Sequence, residues 1–226
     1  TIRGGDSVVR GLVFNGGLVP GILIEDAGGN TIAGNIFGLD PTGTTSDRNR
    51  GPGIKIENSS RNTIGGESPA DRNLISGSYS RDPNDQLEEI FGRFQLLKQG
   101  GLEIIGPASV FNVVQGNYIG TDISGMVVDP DGERDSDDEL GNSGIGILIA
   151  EGASDNTIGG TSTGARNVIG GQGSFDGREP NCVENCATDV PSVGILIDGE
   201  VSGRNEVYGN YIGTNAAGTA ALGNGV

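Results

Sequence analysis

The sequence predicts an all-β chain wound as a parallel β-helix of about five to six coils, and three features lead there. Asn30, Asn62, Asn112, Asn156 and Asn205 each open a near-copy of one pattern, and a second asparagine column follows at Asn35, Asn73, Asn117, Asn167 and Asn210. The offsets between the two columns run five, eleven, five, eleven and five residues, so the repeat has two alternating forms. A short apolar block precedes every copy and another closes it, with Gly, Asn and Asp between them.

The first strand of each coil is the block GILI at 21–24, GIKI at 53–56, GLEI at 101–104, and GILI again at 146–149 and 194–197. Apolar residues two apart give a strand one buried face. Ile22, Ile24, Ile54, Ile56, Leu102, Ile104, Ile147, Ile149, Ile195 and Ile197 are therefore the expected core column, and Leu23, Lys55, Glu103, Leu148 and Leu196 face outward. The second strand is the ladder segment, written NTIAGN, NTIGG, NVVQGN, NTIGG and NEVYGN. The third is a run such as NIFG, NLISG, NYIG or NVIGG. Three short strands separated by turn residues make one coil.

Adjacent coils sit about 4.8 Å apart, so an asparagine at one position in every coil stacks its amide in register with the next. A buried amide without a partner costs about 1–3 kcal/mol, which makes the column Asn30, Asn62, Asn112, Asn156 and Asn205 a structural ladder.

The strings NTIGG, GARNVIGG, GNYIGTD and GTAALGN resemble the right-handed parallel β-helix repeats of the pectin-lyase-like superfamily, in the version found in long secreted or surface-bound bacterial proteins. The resemblance covers nearly the whole chain. It implies a right-handed solenoid and a secreted or cell-surface bacterial location. Its functional range is wide, from polysaccharide lyases, glycoside hydrolases and epimerases to tailspikes and adhesins.

Composition fits a solenoid. With 43 Gly, no Trp, no His and 34% hydrophobic residues, the chain lacks material for a broad layered core, and a solenoid needs only a thin one. A net charge of −16 argues against nucleic acid and anionic membrane surfaces as partners. No run approaches the roughly 20 apolar residues of a membrane span. The first residue is Thr, residues 6–15 match the middle of a coil, and LGNGV halts where a next strand would start. The expectation is one domain over 1–226, cut from a longer solenoid whose further coils are its neighbours.

Three insertions, at 78–99, 126–140 and 172–193, each end just before the next first-strand block, so all leave one corner of the solenoid. The segment PTGTTSDRNRGP at 41–52 occupies the equivalent corner. Loops stacked on one edge are where repeat proteins carry function. In the first insertion Asn84 or Asp85 caps a short helix with Leu87, Ile90, Phe91, Phe94 and Leu97 on one face. That face is expected to cover the apolar outward positions of the first strands, the other reading being that Phe91 and Phe94 stack on sugar rings. The second insertion holds Asp129, Asp131, Glu133, Asp135 and Asp137 around Gly132. Such hard oxygen ligands favour calcium over zinc, and the plainer reading is a solvated charge run. The third holds Cys182 and Cys186, the only cysteines. Their spacing favours a local disulfide in an oxidising compartment, provided that a turn brings the Cβ atoms together. A free thiol pair or half of a metal site is the alternative.

For catalysis the candidates are Lys55, Glu57 and Glu103, which project from adjacent coils near one edge. They form either a proton-transfer group or an ordinary cross-strand ion pair worth about 0.2–1 kcal/mol. With no His, histidine-based acid or base catalysis is excluded within the chain. The expected function is an extracellular structural, adhesive or glycan-binding scaffold without catalytic activity, partnered by a polysaccharide or cell-surface glycan. The alternative is a polysaccharide lyase, glycoside hydrolase or epimerase, with calcium in the lyase case.

Overall fold

Apolar blocks of two to six residues cannot pair within themselves, so each must find its hydrogen-bonding partners in neighbouring coils. In the computed structural model they do so in parallel, as three stacked sheets that do not close on one another. The described residues are 1–78, 100–131, 140–172 and 192–224. The helix expected in the first insertion, the Cys182 and Cys186 pair, and Glu133, Asp135 and Asp137 lie outside them.

The second sheet begins with β1 (Val8–Arg10) and continues through β4 (Thr31–Ala33), β7 (Thr63–Gly65), β10 (Val113–Gln115), β13 (Thr157–Gly159) and β16 (Glu206–Tyr208). The third runs through β2 (Val13–Phe14), β5 (Ile36–Phe37), β8 (Leu74–Ile75), β11 (Tyr118–Ile119), β14 (Val168–Ile169) and β17 (Tyr211–Ile212). The first comprises β3 (Ile22–Glu25), β6 (Ile54–Glu57), β9 (Gly100–Ile105), β12 (Ile145–Ala150) and β15 (Val193–Ile197). Every strand pairs with its counterparts one coil above and below, which is the parallel β-helix expected from the repeat. Register follows the apolar columns: Ile22 lies against Ile54, Ile54 against Leu102, Leu102 against Ile147, and Ile147 against Ile195.

The core is one continuous cluster through the stack. Ile24, Ile56, Ile104 and Ile149 of the first sheet meet Ile32, Ile64, Val114 and Ile158 of the second, with Phe37, Ile75, Ile119 and Ile169 of the third. Burying each such side chain contributes about 1.5–3 kcal/mol. Phe37 stacks on Phe14 of the preceding coil, with centroids 5.0 Å apart and planes 7° from parallel. The column thins in the last coil, where Ile197 is 41% exposed. At the corner after β5 only glycine fits: Gly38 has φ +72°, and a Cβ there would lie 2.0 Å from Ser76 O.

Both asparagine columns carry directional hydrogen bonds. Asn62 Oδ1 accepts the Asn30 backbone N–H at 3.0 Å and its Nδ2–H at 2.9 Å. The same double contact joins Asn62 to Asn112, Asn112 to Asn156, and Asn156 to Asn205. In the second column it joins Asn35 to Asn73, Asn117, Asn167 and Asn210 in turn. Each amide thus satisfies an N–H of the coil before it, and all but the last of each column, Asn205 and Asn210, pass an Nδ2–H to the coil after it. In the first coil Ser7 and Leu12 occupy these columns, and their backbone N–H groups donate to Asn30 Oδ1 and Asn35 Oδ1.

A third polar column, not read from the sequence, lies at the corner between the third and first sheets. Asn49 Oδ1 accepts from Gly17 N at 3.0 Å, Asn142 Oδ1 from Ser78 N at 3.0 Å, and Asn224 Oδ1 from Gln172 N at 3.2 Å. Asn142 Nδ2 donates to Gln172 Oε1 at 3.0 Å. The string LGN at 140–142 and 222–224 was its only recurrent signal.

Candidate functional site

Outward-facing residues of the first sheet come in two kinds. Ile105, Ile145, Leu148 and Ala150 form a second buried apolar cluster, with Leu196 packed against it. Glu103 sits in the same face and is only 7% exposed. Its Oε1 accepts the Gly100 N–H at 3.1 Å. Burial pushes its carboxyl up to about 7; the Gly100 bond and the Lys55 charge oppose the shift, and Glu151 and Glu57 add to it.

Lys55 and Glu103 are register partners across adjacent coils, as the sequence implies. The ion pair, however, is not between them. Lys55 Nζ lies 2.9 Å from Glu57 Oε2, two residues along the same strand. Glu57 is 39% exposed at its side chain, whereas Glu103 is buried beside Leu148, where ionising a carboxyl is costly. The three candidates are therefore neighbours in two states: a half-buried Lys55–Glu57 pair and a buried carboxyl that titrates near neutrality. A carboxyl of that kind suits proton transfer in principle, but it lies beneath the surface, away from solvent.

Of the acidic run, Asp129 and Asp131 are described, the first half-buried and the second exposed. Among the described residues no three His, Cys, Asp or Glu side chains converge as a metal site.

The corner after the third sheet carries a tight loop in alternate coils. Asp40 Oδ1 accepts from Thr44 N and Thr45 N; Asp122 Oδ1 accepts from Met126 N and Val127 N; Asn215 Oδ1 accepts from Thr219 N and Ala220 N. The Thr42 hydroxyl, together with these N–H groups, holds the Asp40 carboxyl down at about 2 against the opposing effect of burial. The loops also touch one another across the coil between them, Ile123 N donating to Gly43 O and Ala216 N to Gly125 O, both at 2.9 Å.

The other alternating feature is the eleven-residue form of the turn between the second and third sheets. In one copy Ser68 caps a 3-10 turn over Pro69–Asp71. This form ends on an arginine that reaches into the next coil: Arg72 Nε donates to Gly116 O at 3.2 Å and Arg166 Nε to Gly209 O at 3.1 Å. Each guanidinium lies 3.9 Å from the centroid of a tyrosine ring, Arg72 over Tyr118 and Arg166 over Tyr211. Stacking of this kind near the surface contributes about 0.5–1 kcal/mol. The result is an outward column, Arg72–Tyr118–Arg166–Tyr211, on the solvent side of the third sheet.

At the start of that column Ile36 takes the register position that Tyr118 and Tyr211 take later. The smaller side chain leaves a half-open groove of about 210 Å³. Ile36, Leu74, Pro69, Ala70, Ile123, Arg72 and Tyr118 are among the residues that line it. Sequence reasoning missed the column because its two residue types sit in different coils.

Comparison with protein-family models, with curated proteins and with solved structures found no match to this chain, so the fold class stands on its own three-sheet register.

Proposed function

We propose that this chain is an extracellular structural, adhesive or glycan-binding β-helical scaffold without catalytic activity, located in the secreted or cell-surface compartment of a bacterium. We read it as a relative of the pectin-lyase-like superfamily, on the repeat strings and the parallel three-sheet coil. The observation that carries the functional reading is the state of the candidate catalytic group: Glu103 is buried among apolar side chains, and Lys55 is engaged by Glu57. What the solenoid presents outward instead is a rigid Arg–Tyr column, a surface suited to stacking and hydrogen bonding without chemistry. Stiffness comes from the ladders, whose amides join every coil to the next.

One observation favours the second reading, a polysaccharide lyase, hydrolase or epimerase. The Glu103 carboxyl titrates near 7, where a general acid or base works best. A panel of neutral and uronate polysaccharides, incubated with the protein in calcium and again in chelator, separates the two. The scaffold reading expects no new reducing ends and no unsaturated products. Turnover that disappears in Glu103→Gln would establish the enzyme reading instead. Calcium at the acidic run of 126–140 belongs to the same proposal, as a clip on the loop edge rather than a catalytic ion.

A further inference from the structure

We propose that Lys55 is a shared cation whose partner is set by the proton on Glu103. It pairs with Glu57 while Glu103 is protonated, and crosses to Glu103 when that proton leaves. The exchange is a pH-sensitive device built into the first sheet, and it operates whatever the solenoid binds.

Both partners lie within reach of one side chain. Lys55 and Glu103 are register partners on adjacent parallel strands, so their backbones are about 4.8 Å apart and their side chains leave the same face. Glu57 follows Lys55 by two residues on that face, and its Oε2 is 2.9 Å from Lys55 Nζ. A flexible four-carbon stem carries the ammonium from one carboxyl to the other by changes of rotamer, with the strands left in place.

The two carboxyls hold charge under different conditions. Glu103 is 7% exposed, accepts one backbone N–H from Gly100 at 3.1 Å, and has the apolar Leu148 as its register partner on the other side. An anion there without a cation in contact is costly, so the group keeps its proton while Lys55 is engaged by Glu57. Once Glu103 ionises, the same burial works the other way. Attraction between opposite charges is stronger on the desolvated face than at Glu57, which shares its charge with water.

The surrounding charges leave Lys55 as the group that responds. On β6 they are Lys55 and Glu57; past the end of β12 stands Glu151; β12 and β15 themselves present Leu148 and Leu196 in register. Glu57 and Glu151 oppose ionisation of Glu103, and Lys55 is the positive charge that favours it among the described residues. Burial outweighs Lys55 in its present position, which holds the titration at about 7 and sets the pH at which the exchange occurs.

The exchange also moves charge. A proton is lost from the buried position, yet the carboxylate left without its lysine is Glu57, at the edge of the sheet. Its register partner there is Glu25, which is paired with Arg3. Above neutrality two carboxylates of adjacent coils therefore stand beside one arginine, where below it each has its own cation.

The test is NMR of the full chain, following the side-chain carboxyl carbon of Glu103 and the Overhauser contacts of the Lys55 ε-methylene at about pH 5.5 and at about pH 8.5, either side of the transition. The expected result is contact with the Glu57 γ-methylene at the lower pH and with that of Glu103 at the higher, the change sharing its midpoint with the Glu103 carbon. Glu103→Gln should hold Lys55 at Glu57 throughout. Glu57→Gln should free Lys55 for Glu103 and lower the Glu103 midpoint by about 1–3 pH units. Lys55 contacts that stay the same while Glu103 titrates would overturn the proposal, as would a partner change that persists in Glu103→Gln or a Glu103 carbon that does not titrate across this range. If either variant fails to fold, the wild-type contacts at the two pH values decide the matter alone.

Discussion

Replacing Asn112 by alanine takes out the middle rung of the first ladder. Its Oδ1 receives the Asn62 backbone N–H at 2.9 Å and Asn62 Nδ2 at 2.8 Å, and its Nδ2 donates to Ser59 O at 3.0 Å and Asn156 Oδ1 at 2.9 Å. Two of these four partners keep a second bond. Asn62 Nδ2 still donates to Ser59 Oγ, and Asn156 Oδ1 still receives the Asn112 backbone N–H, each at 2.9 Å. The Asn62 N–H and the Ser59 carbonyl do not, and both residues are buried. At about 1–3 kcal/mol for each orphaned group, the variant loses about 2–6 kcal/mol. For a chain of this size that lowers the melting temperature by roughly 4–24 °C. Asn205→Ala is the internal control. Asn205 makes the same contacts to Asn156 but is half-buried, so water replaces part of what is lost and the cost falls to about 0.5–1.5 kcal/mol. Thermal and urea unfolding followed by circular dichroism measure both. A loss below about 1 kcal/mol in Asn112→Ala, or equal losses in the two variants, would refute the assignment of the ladder as a structural element. Asn112→Asp sharpens the test, because it keeps the acceptor for Asn62 and turns an oxygen toward Ser59 O and Asn156 Oδ1; it is expected to be at least as damaging as alanine.

Glu103 makes stability depend on pH in a direction opposite to a salt-bridged carboxylate. Its folded-state value of about 7 lies above the ordinary 4.5, so the stability it contributes is intact below pH 4.5 and is lost as pH rises through 7. Glu103→Gln should therefore be more stable relative to wild type at pH 8 than at pH 4, and an unchanged difference between the two pH values would place the carboxyl in water. Phe37→Ala removes a fully buried ring and its stack on Phe14; it should cost about 3–5 kcal/mol in urea unfolding, and a cost below about 1 kcal/mol would mean that the ring is not part of the continuous core. Chelator should increase proteolytic cleavage within 126–140 without lowering the melting temperature of the solenoid, and a global loss of stability on chelation would place calcium elsewhere in the molecule.

What could be read from the sequence was whatever repeats at a fixed place in every coil. The Ile columns and the two asparagine columns recur with one residue type each, so their register against one another followed from counting. The third polar column did not, because Asn49, Ser78, Asn142, Gln172 and Asn224 differ in type and are separated by insertions of unequal length. The Arg72–Tyr118 and Arg166–Tyr211 contacts were hidden for a different reason. Each joins the long form of one coil to the short form of the next, and neither string carries a signal alone. At the candidate catalytic face, register placed Lys55 beside Glu103 but could not choose its partner. That choice depends on desolvation, which favours the half-buried Glu57 over the buried Glu103 beside Leu148.

The alternation of short and long forms sets the step by which such a chain can change length. The loop around Gly125 leans on the one around Gly43 two coils away, and Gly164 comes so close to Glu67 O that a Cβ would lie 2.3 Å from it. Deleting a single coil would bring like against like: two arginine turns in succession, or two tyrosines with no guanidinium between them. Deleting two restores the alternation of the two forms. Recombination within this sequence should therefore leave viable descendants that differ by even numbers of coils, and an odd-numbered variant should carry its defect at the junction, in the loops rather than in the isoleucine column.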